Sequence, residues 1–549
     1  MHISRFTAFA ICAMAAVLLV SLAFRDPWFW LPASVVILLV LLGIRDLLQP
    51  LHSIQRNYPV IGHVRWFVEL IRPELRQYLF EADEEAAPFS RSQRSLVYRR
   101  AKGEPGDQAF GTLLDVYRDG YEFISHSTRP APVADPAAFR ITIGGDQCVR
   151  PYSASIFNIS AMSFGSLSAN AIRALNRGAR MGGFYHDTGE GSISSYHREE
   201  GGDIVWEVAS GYFGCRDADG NFDSDRFAAQ AAEDQVKMIE IKLSQGAKPG
   251  HGGVLPAAKV TPEIAATRGV AIGQDCISPA RHSAFSTPLE LMTFIARLRA
   301  LSGGKPIGFK LCIGHPWEFM GMVKAMLETG IHPDFIVVDG AEGGTGAAPV
   351  EFSDHLGVPM REGLLFVHNV LTGAGIRERI RIGAAGRIVS AFDIASVLAI
   401  GADWVNAARG FMFALGCVQS LSCNTNRCPT GVATQDRLRQ RALVVPDKAE
   451  RVRRFHARTL SALADMLAAA GLSHPSELRP RHLVRRVSLT EIRQFAQIHT
   501  FLSPGALING ACEDGFYRQT WDQARADSFD GLAFTELTPV PLPARRVPA

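Results

Sequence analysis

Phe335-Ile-Val-Val-Asp339-Gly-Ala-Glu342-Gly343-Gly344-Thr345-Gly346 is a short apolar run that breaks into a glycine-rich loop. Such a run, bounded by turn residues, reads as a buried strand whose end offers backbone N–H groups to a ligand. The pattern recurs along the chain. Further candidate strands are residues 156–161, 183–186, 204–208, 238–242, 307–312, 380–384 and 404–408, each separated from the next by a longer segment compatible with a helix. Eight strands with helical crossovers predict an α/β fold of parallel units, most economically a TIM (β/α)8 barrel. A doubly wound open sheet is the alternative, but no GxGxxG opens the first unit.

In a TIM barrel, function sits at the C-terminal ends of the strands. After the first strand comes Ser160-Ala-Met162-Ser163-Phe-Gly165-Ser166-Leu-Ser168, small and flexible enough for backbone N–H groups to approach a flat ring. After the second comes Asp187-Thr-Gly189-Glu190-Gly191. After the fourth comes Lys242-Leu-Ser-Gln245-Gly-Ala-Lys248-Pro-Gly250-His-Gly-Gly253. Two lysines six residues apart on a glycine-rich loop can bind a dianion, although solvated surface lysines would read the same way. Lys310 lies inside the apolar run 307–313. A lysine there is costly to bury unless paired, so it is expected to point toward an anionic ligand. Gly386-Arg387 and Arg409-Gly410 follow the seventh and eighth strands. Loops at those positions commonly bind phosphate, and the arginines would add charge-assisted contacts. A phosphate-bearing cofactor is therefore expected over the barrel mouth.

Just downstream, Cys417, Cys423 and Cys428-Pro bring three of the nine cysteines within a dozen residues. Three thiols at these gaps can converge on an iron–sulfur cluster. Zinc usually needs a fourth ligand, which nothing nearby supplies. An odd number argues against a disulfide framework. Three free thiols in a polar loop remain the alternative.

The chain opens with two nearly uncharged apolar runs, residues 6–24 and 28–44, split by Arg25-Asp26-Pro27. Each approaches the roughly 20 residues of a membrane-spanning helix. A signal peptide is the rival reading of the first run, weakened by the close second run. Arg5, Arg45, Arg56 and Arg65 lie on the side of both ends, so the body is expected on the cytoplasmic side of the membrane. Residues 1–50 are thus read as two transmembrane helices and 51–140 as a connecting region. In the latter, residues 68–78 are predicted helical and 81–100 irregular. Ala449, Val452, Phe455, Leu460, Leu463 and Leu467 predict a helix ending at Gly471. Residues 141–480 form the barrel domain with its cysteine loop, and 481–549 a tail that meanders beyond about Thr500. The net charge of +3 gives no reason to expect nucleic acid as a partner.

Together, Met162–Ser168, Thr188–Gly191, Gln245–Gly250, Gly343–Ala347 and Gly416–Gln435 occur in an order that resembles the FMN-binding synthase domain of glutamate synthase. The resemblance covers about residues 140–475. It implies a TIM barrel holding FMN, with a 3Fe–4S cluster on Cys417, Cys423 and Cys428. Met162, Ser163, Lys310, Gly343, Gly344, Thr345, Gly346, Gly386, Arg387, Arg409 and Gly410 match cofactor-contacting segments. Glu190, Lys242, Lys248 and Arg268 match the site for 2-oxoglutarate. Two positions depart from the family pattern: Val254 stands where glutamine is common and Glu342 where aspartate is. No glutaminase, β-helical or NAD(P)H/FAD segment is recognisable, so ammonia is expected to be free or supplied by a separate subunit, and electrons by ferredoxin or a reductase subunit. The resemblance implies an oxidoreductase that aminates 2-oxoglutarate to L-glutamate, and the two apolar runs at residues 6–24 and 28–44 add the expectation of a membrane-anchored, stand-alone form. The alternatives are an FMN oxidoreductase on another 2-oxo or amino acid, or a non-catalytic membrane electron-transfer protein.

Overall fold

The computed structural model describes residues 5–50, 52–84 and 87–531. It divides into two compact units, Met1–Ala86 and Ala87–Ala549.

The first unit is built on two apolar helices, Thr7–Ala23 and Trp30–Leu48, joined by a single 3-10 turn at Pro27–Phe29. Asp26 starts that turn by accepting the Trp28 N–H at 3.1 Å. Small residues let the helices approach. Ala33 is fully buried, and a side chain at Gly43 would collide with the Phe9 ring. The outward residues Met14, Val17, Leu18, Leu31, Leu38 and Leu41 are exposed and apolar. Asp46 closes the polar end, accepting from Val60 N–H at 3.1 Å and from His63 at 2.9 Å. Residues Pro27–Leu48 make one helix long and apolar enough to cross a bilayer, with mean hydropathy 2.2, whereas Thr7–Ala23 has 17 residues. The helix expected over 68–78 runs instead over Gly62–Leu75 and continues as a π-turn to Phe80.

The second unit holds a closed barrel of eight parallel strands. We label them β1 (Phe157–Ile159), β2 (His186–Asp187), β3 (Ile204–Val208), β4 (Val236–Lys242), β5 (Ile307–Leu311), β6 (Phe335–Asp339), β7 (Arg381–Ala385) and β8 (Trp404–Ala407). Pairing of Val405 with Phe157 closes the ring. The fold class read from the sequence therefore holds, with shifted edges. Strand β2 begins at His186 rather than 183, because Gly183 takes a left-handed φ of 67° to end the preceding helix, Ala169–Gly182. Strand β4 is longer than expected, starting at Val236. An antiparallel hairpin, Arg140–Ile143 with Tyr152–Ser155, precedes β1.

The helix predicted from Ala449 to Leu467 and ending at Gly471 is observed as Val445–Ala469, with all six named apolar residues buried. It packs on Ala169–Gly182, where Gly178 is so close to Val452 that a Cβ would lie 2.5 Å from it. Two expectations are corrected. Residues 81–100 are not wholly irregular: Arg91–Lys102 is a helix opened by a Ser90–Gln93 capping box. Its five charged residues hid the short buried face of Val97 and Ala101. The tail beyond Thr500 is not wholly irregular either, since Gly515–Gln523 is a helix. Earlier in the tail, Leu483–Arg486 pairs with Glu122–Ile124 of the connecting region.

Candidate active site

Three of the expected binding residues, Lys242, Lys248 and Arg268, converge on the fourth, Glu190, in the loop after β2. The Lys242 Nζ, at the end of β4, lies 3.2 Å from Glu190 Oε2 and 3.1 Å from Gln245 Oε1. Burial alone would raise the Glu190 pKa. Lys242, Arg268 and Lys248, in that order, outweigh it and hold Glu190 below its ordinary value. Arg268 ends the helix Pro262–Arg268 and is 3% exposed. Its Nη2 donates to Phe164 O at 3.0 Å and Ser163 Oγ at 3.3 Å. Its Nε is buried with no hydrogen-bond partner among the described residues. Lys248 is 2% exposed and donates to Ala347 O at 3.2 Å. Its pKa is lowered by burial and by Lys242, against Glu190.

The glycines of these loops are close-approach positions. A Cβ on Gly253 would sit 1.8 Å from a Glu190 oxygen, and one on Gly246 would sit 1.8 Å from Gly340 O. Thus the 242–253 loop is pressed between Glu190 and the loop after β6. Three cations around one carboxylate leave two positive charges and one orphaned donor, which suits a dicarboxylate.

The segments after β6, β7 and β8 meet beside this. The Arg409 Nη2 donates to Glu342 O at 2.7 Å, its guanidinium lies over the Phe89 ring at 4.7 Å, and a Cβ on Gly344 would lie 3.0 Å from it. Burial, then Arg387, pushes Arg409 down to about 10. Arg387 has a left-handed φ of 47°, which turns the chain immediately after Gly386. Both line a cavity of about 310 Å3 with Glu342 and Met360. Gly343, Thr345 and Gly346 lie on the loop after β6; Arg409 and Gly410, expected on a loop, instead open the helix Arg409–Leu415 that follows β8 after one residue, while Met162 and Ser163, each 8% exposed, follow β1. Lys310 points into the barrel as expected, but no external anion is needed to balance it. Glu207 of β3 and Glu240 of β4 pair with its ammonium, the second at 2.9 Å. That corrects the expectation of an anionic ligand as its partner. The two glutamates were missed, although each interrupts an apolar run as Lys310 does.

None of the three cysteines of the downstream loop is in a disulfide. Gln419 N–H points at Cys417 Sγ at 3.5 Å. At Cys428, burial raises the pKa, but the Thr430 hydroxyl and the Ala433, Thr430 and Val432 N–H groups outweigh it and lower the pKa overall. Backbone donors aimed at sulfur suit thiolate ligands of an iron–sulfur centre. The loop is lashed to the one after β1 by Gln435, whose Nε2 donates to Gly165 O at 2.9 Å and Leu167 O at 3.0 Å. Gln435 closes the quoted cysteine motif but was not singled out for this role.

The family profile for the conserved region in glutamate synthase matches residues 141–473. The chain belongs to the glutamate synthase family. It is thereby an oxidoreductase of the class acting on CH–NH2 donors. It is 37% identical over 509 residues to the glutamate synthase large subunit-like protein YerD of Bacillus subtilis, covering 85% of this chain and 96% of YerD. It is 35% identical over 334 residues to the archaeal-type glutamate synthase (NADPH) of Thermotoga neapolitana, covering 60% of this chain and 62% of that one. With the glutamate synthase (NADPH) large chain of Bacillus subtilis it shares 32% identity over 368 residues, 63% of this chain and 23% of that one. The chain thus spans less than two thirds of the length of the latter two glutamate synthases. The Glu190 cluster, the segments after β6, β7 and β8 and the cysteine loop all fall inside the matched region.

Proposed function

We propose that this glutamate synthase family member aminates 2-oxoglutarate reductively to L-glutamate, using FMN and a 3Fe–4S cluster. The observation that carries the reading is the pair of uncompensated positive charges around Glu190, beside an orphaned Arg268 N–H. A five-carbon dicarboxylate supplies the matching two negative charges. The overall change consumes 2-oxoglutarate, ammonium, two electrons and two protons, and yields glutamate and water.

FMN would be held by Met162, Ser163 and the segments carrying Gly343–Gly346, Gly386–Arg387 and Arg409–Gly410. Cys417, Cys423 and Cys428 would hold the cluster. Bound FMN supplies hydride chemistry and the cluster supplies one-electron relay. The chain's own residues bind and orient the substrate. Lys242, Lys248 and Arg268 bind its carboxylates. Glu190, kept ionised by those same cations, attracts the ammonium or iminium group. Lys310 acts beneath the mouth by neutralising Glu207 and Glu240. Ammonia comes free or from a separate subunit, and electrons from ferredoxin or a reductase subunit. The exposed apolar helices of the first unit would anchor the enzyme in the membrane, with its body in the cytoplasm. Detergent, but not salt, should then release it from membranes; release by salt would remove the anchor.

A second reading, action on another 2-oxo acid, is favoured by Val254, which follows the Gly253 pressed against Glu190. Binding titrations separate the two. Purified protein should show a flavin spectrum that 2-oxoglutarate perturbs at far lower concentration than pyruvate. Affinity for 2-oxoglutarate should fall as pH rises through the depressed pKa of Lys248, below the ordinary lysine value of 10.5, because the neutral amine no longer attracts a carboxylate. Protein without flavin would overturn the proposal. Equal responses to both acids would favour the second reading.

A further inference from the structure

Lys259 lies in the 3-10 turn Ala257–Lys259, between the strand Val254–Leu255 and the helix Pro262–Arg268. It is 3% exposed. Its Nζ donates to Ser166 O at 2.6 Å, and to Cys423 O and Ala433 O at 3.4 Å each. Those three carbonyls use its donors but bring no counter-charge. Among the described residues no carboxylate pairs with it. The charged or ionisable groups that act on it are Cys423, Cys428 and the like-charged Arg268. A buried ammonium without an anion is strongly disfavoured. By contrast, Lys310 is paired with Glu207 and Glu240, and Lys242 with Glu190.

We infer that Lys259 is the counter-ion of the iron–sulfur cluster on Cys417, Cys423 and Cys428, and that its buried charge raises the cluster's reduction potential. The inference rests on the cluster of the proposed function. One-electron reduction, by the same donor that supports turnover, adds one negative charge to the cluster, and a fixed cation beside it favours that state. Lys259 is a positioning residue: it touches the loops after β1 and around the cysteines, not the substrate. Gln435 supplies the control. It fastens the same two loops to each other through Gly165 O and Leu167 O, but carries no charge.

The test is a redox titration of the cluster, followed by electron paramagnetic resonance, on full-length wild type, Lys259→Arg, Lys259→Met and Gln435→Ala. Iron, acid-labile sulfide and flavin are measured on each sample. Lys259→Met is expected to lower the midpoint so that the oxidised-to-reduced ratio at a fixed potential rises at least tenfold, about 59 mV for one electron. Lys259→Arg and Gln435→Ala should stay well within that tenfold. Loss of iron from Lys259→Met with flavin retained also supports the inference, provided Lys259→Arg keeps its iron. Should Lys259→Met fail to fold, Lys259→Gln takes its place with the same expectation. The inference is overturned if Lys259→Met keeps a full cluster at the wild-type potential, if Gln435→Ala shifts the potential as far, or if Lys259→Arg loses the iron too. Wild-type protein devoid of iron and sulfide would overturn the cluster itself and this inference with it. Unchanged potentials on a full cluster overturn this inference alone.

Discussion

Lys248→Met is expected to raise the KM for 2-oxoglutarate about 100-fold while changing kcat by no more than about threefold. The side chain is 2% exposed and acts electrostatically on Glu190 and Lys242. Removing one cation of a desolvated charge group typically costs about 2–5 kcal/mol, and about 2.8 kcal/mol corresponds to 100-fold. The loss falls on KM because Lys248 is read as binding a carboxylate remote from the reacting carbon, equally in ground and transition states. Its Nζ also holds Ala347 O, so the substitution frees one carbonyl of the loop after β6. Lys248→Arg keeps the charge and should recover part of the loss. Initial rates against 2-oxoglutarate concentration decide the matter. A KM unchanged in Lys248→Met would take this lysine out of the binding site.

Lys310→Met should destabilise the barrel by about 3–5 kcal/mol, because it leaves Glu207 and Glu240 buried and facing each other. Both glutamates are buried, their neighbouring residues pair in register across β3 and β4, and Lys310 is the cation between them. Desolvation, then the balance of Lys310 against Glu207, already raises the Glu240 pKa to about 7. Without the ammonium, nothing offsets burial and Glu207, and protonation of Glu240 becomes the easiest relief. The destabilisation should therefore be largest at alkaline pH, where Glu240 is ionised, and smaller at acid pH. The triple variant Lys310→Met, Glu207→Gln, Glu240→Gln should recover much of the lost stability. Urea denaturation at two pH values provides the check. A Lys310→Met protein as stable as wild type at alkaline pH would show that the pair is not held as described.

The barrel was legible because its strands are buried on both faces and read as short, mostly apolar runs, several of them ending in glycine loops. The strand Phe335–Asp339 appeared at its expected bounds for that reason. Lys242 and Lys248 stood out on their glycine-rich loop, whereas the roles of Glu190 and Arg268 were legible only through resemblance to a known pattern, and the structure brings all four together. What stayed hidden depends on partners far apart in the chain. Glu122–Ile124 is too short and too polar to announce itself, and it becomes a strand only by pairing with Leu483–Arg486. Arg361 and Arg485 then share the Glu122 carboxylate, a contact no local pattern contains. Arg91–Lys102 was hidden by its charge. Lys310 was noticed as a mid-strand lysine, but its partners were sought outside the protein, when Glu240 stood in the adjacent strand β4 and Glu207 one strand further on, in β3.

The central claim is that the charge cluster around Glu190 recognises 2-oxoglutarate for reduction to glutamate. Anaerobic turnover of the purified full-length protein with an artificial low-potential reductant, 2-oxoglutarate and ammonium tests it most directly. The account predicts L-glutamate formed in proportion to electrons consumed, two per molecule, and lost in Lys248→Met at substrate concentrations near the wild-type KM. Oxidation of the reductant without glutamate, from a protein carrying its flavin and its iron, would contradict it.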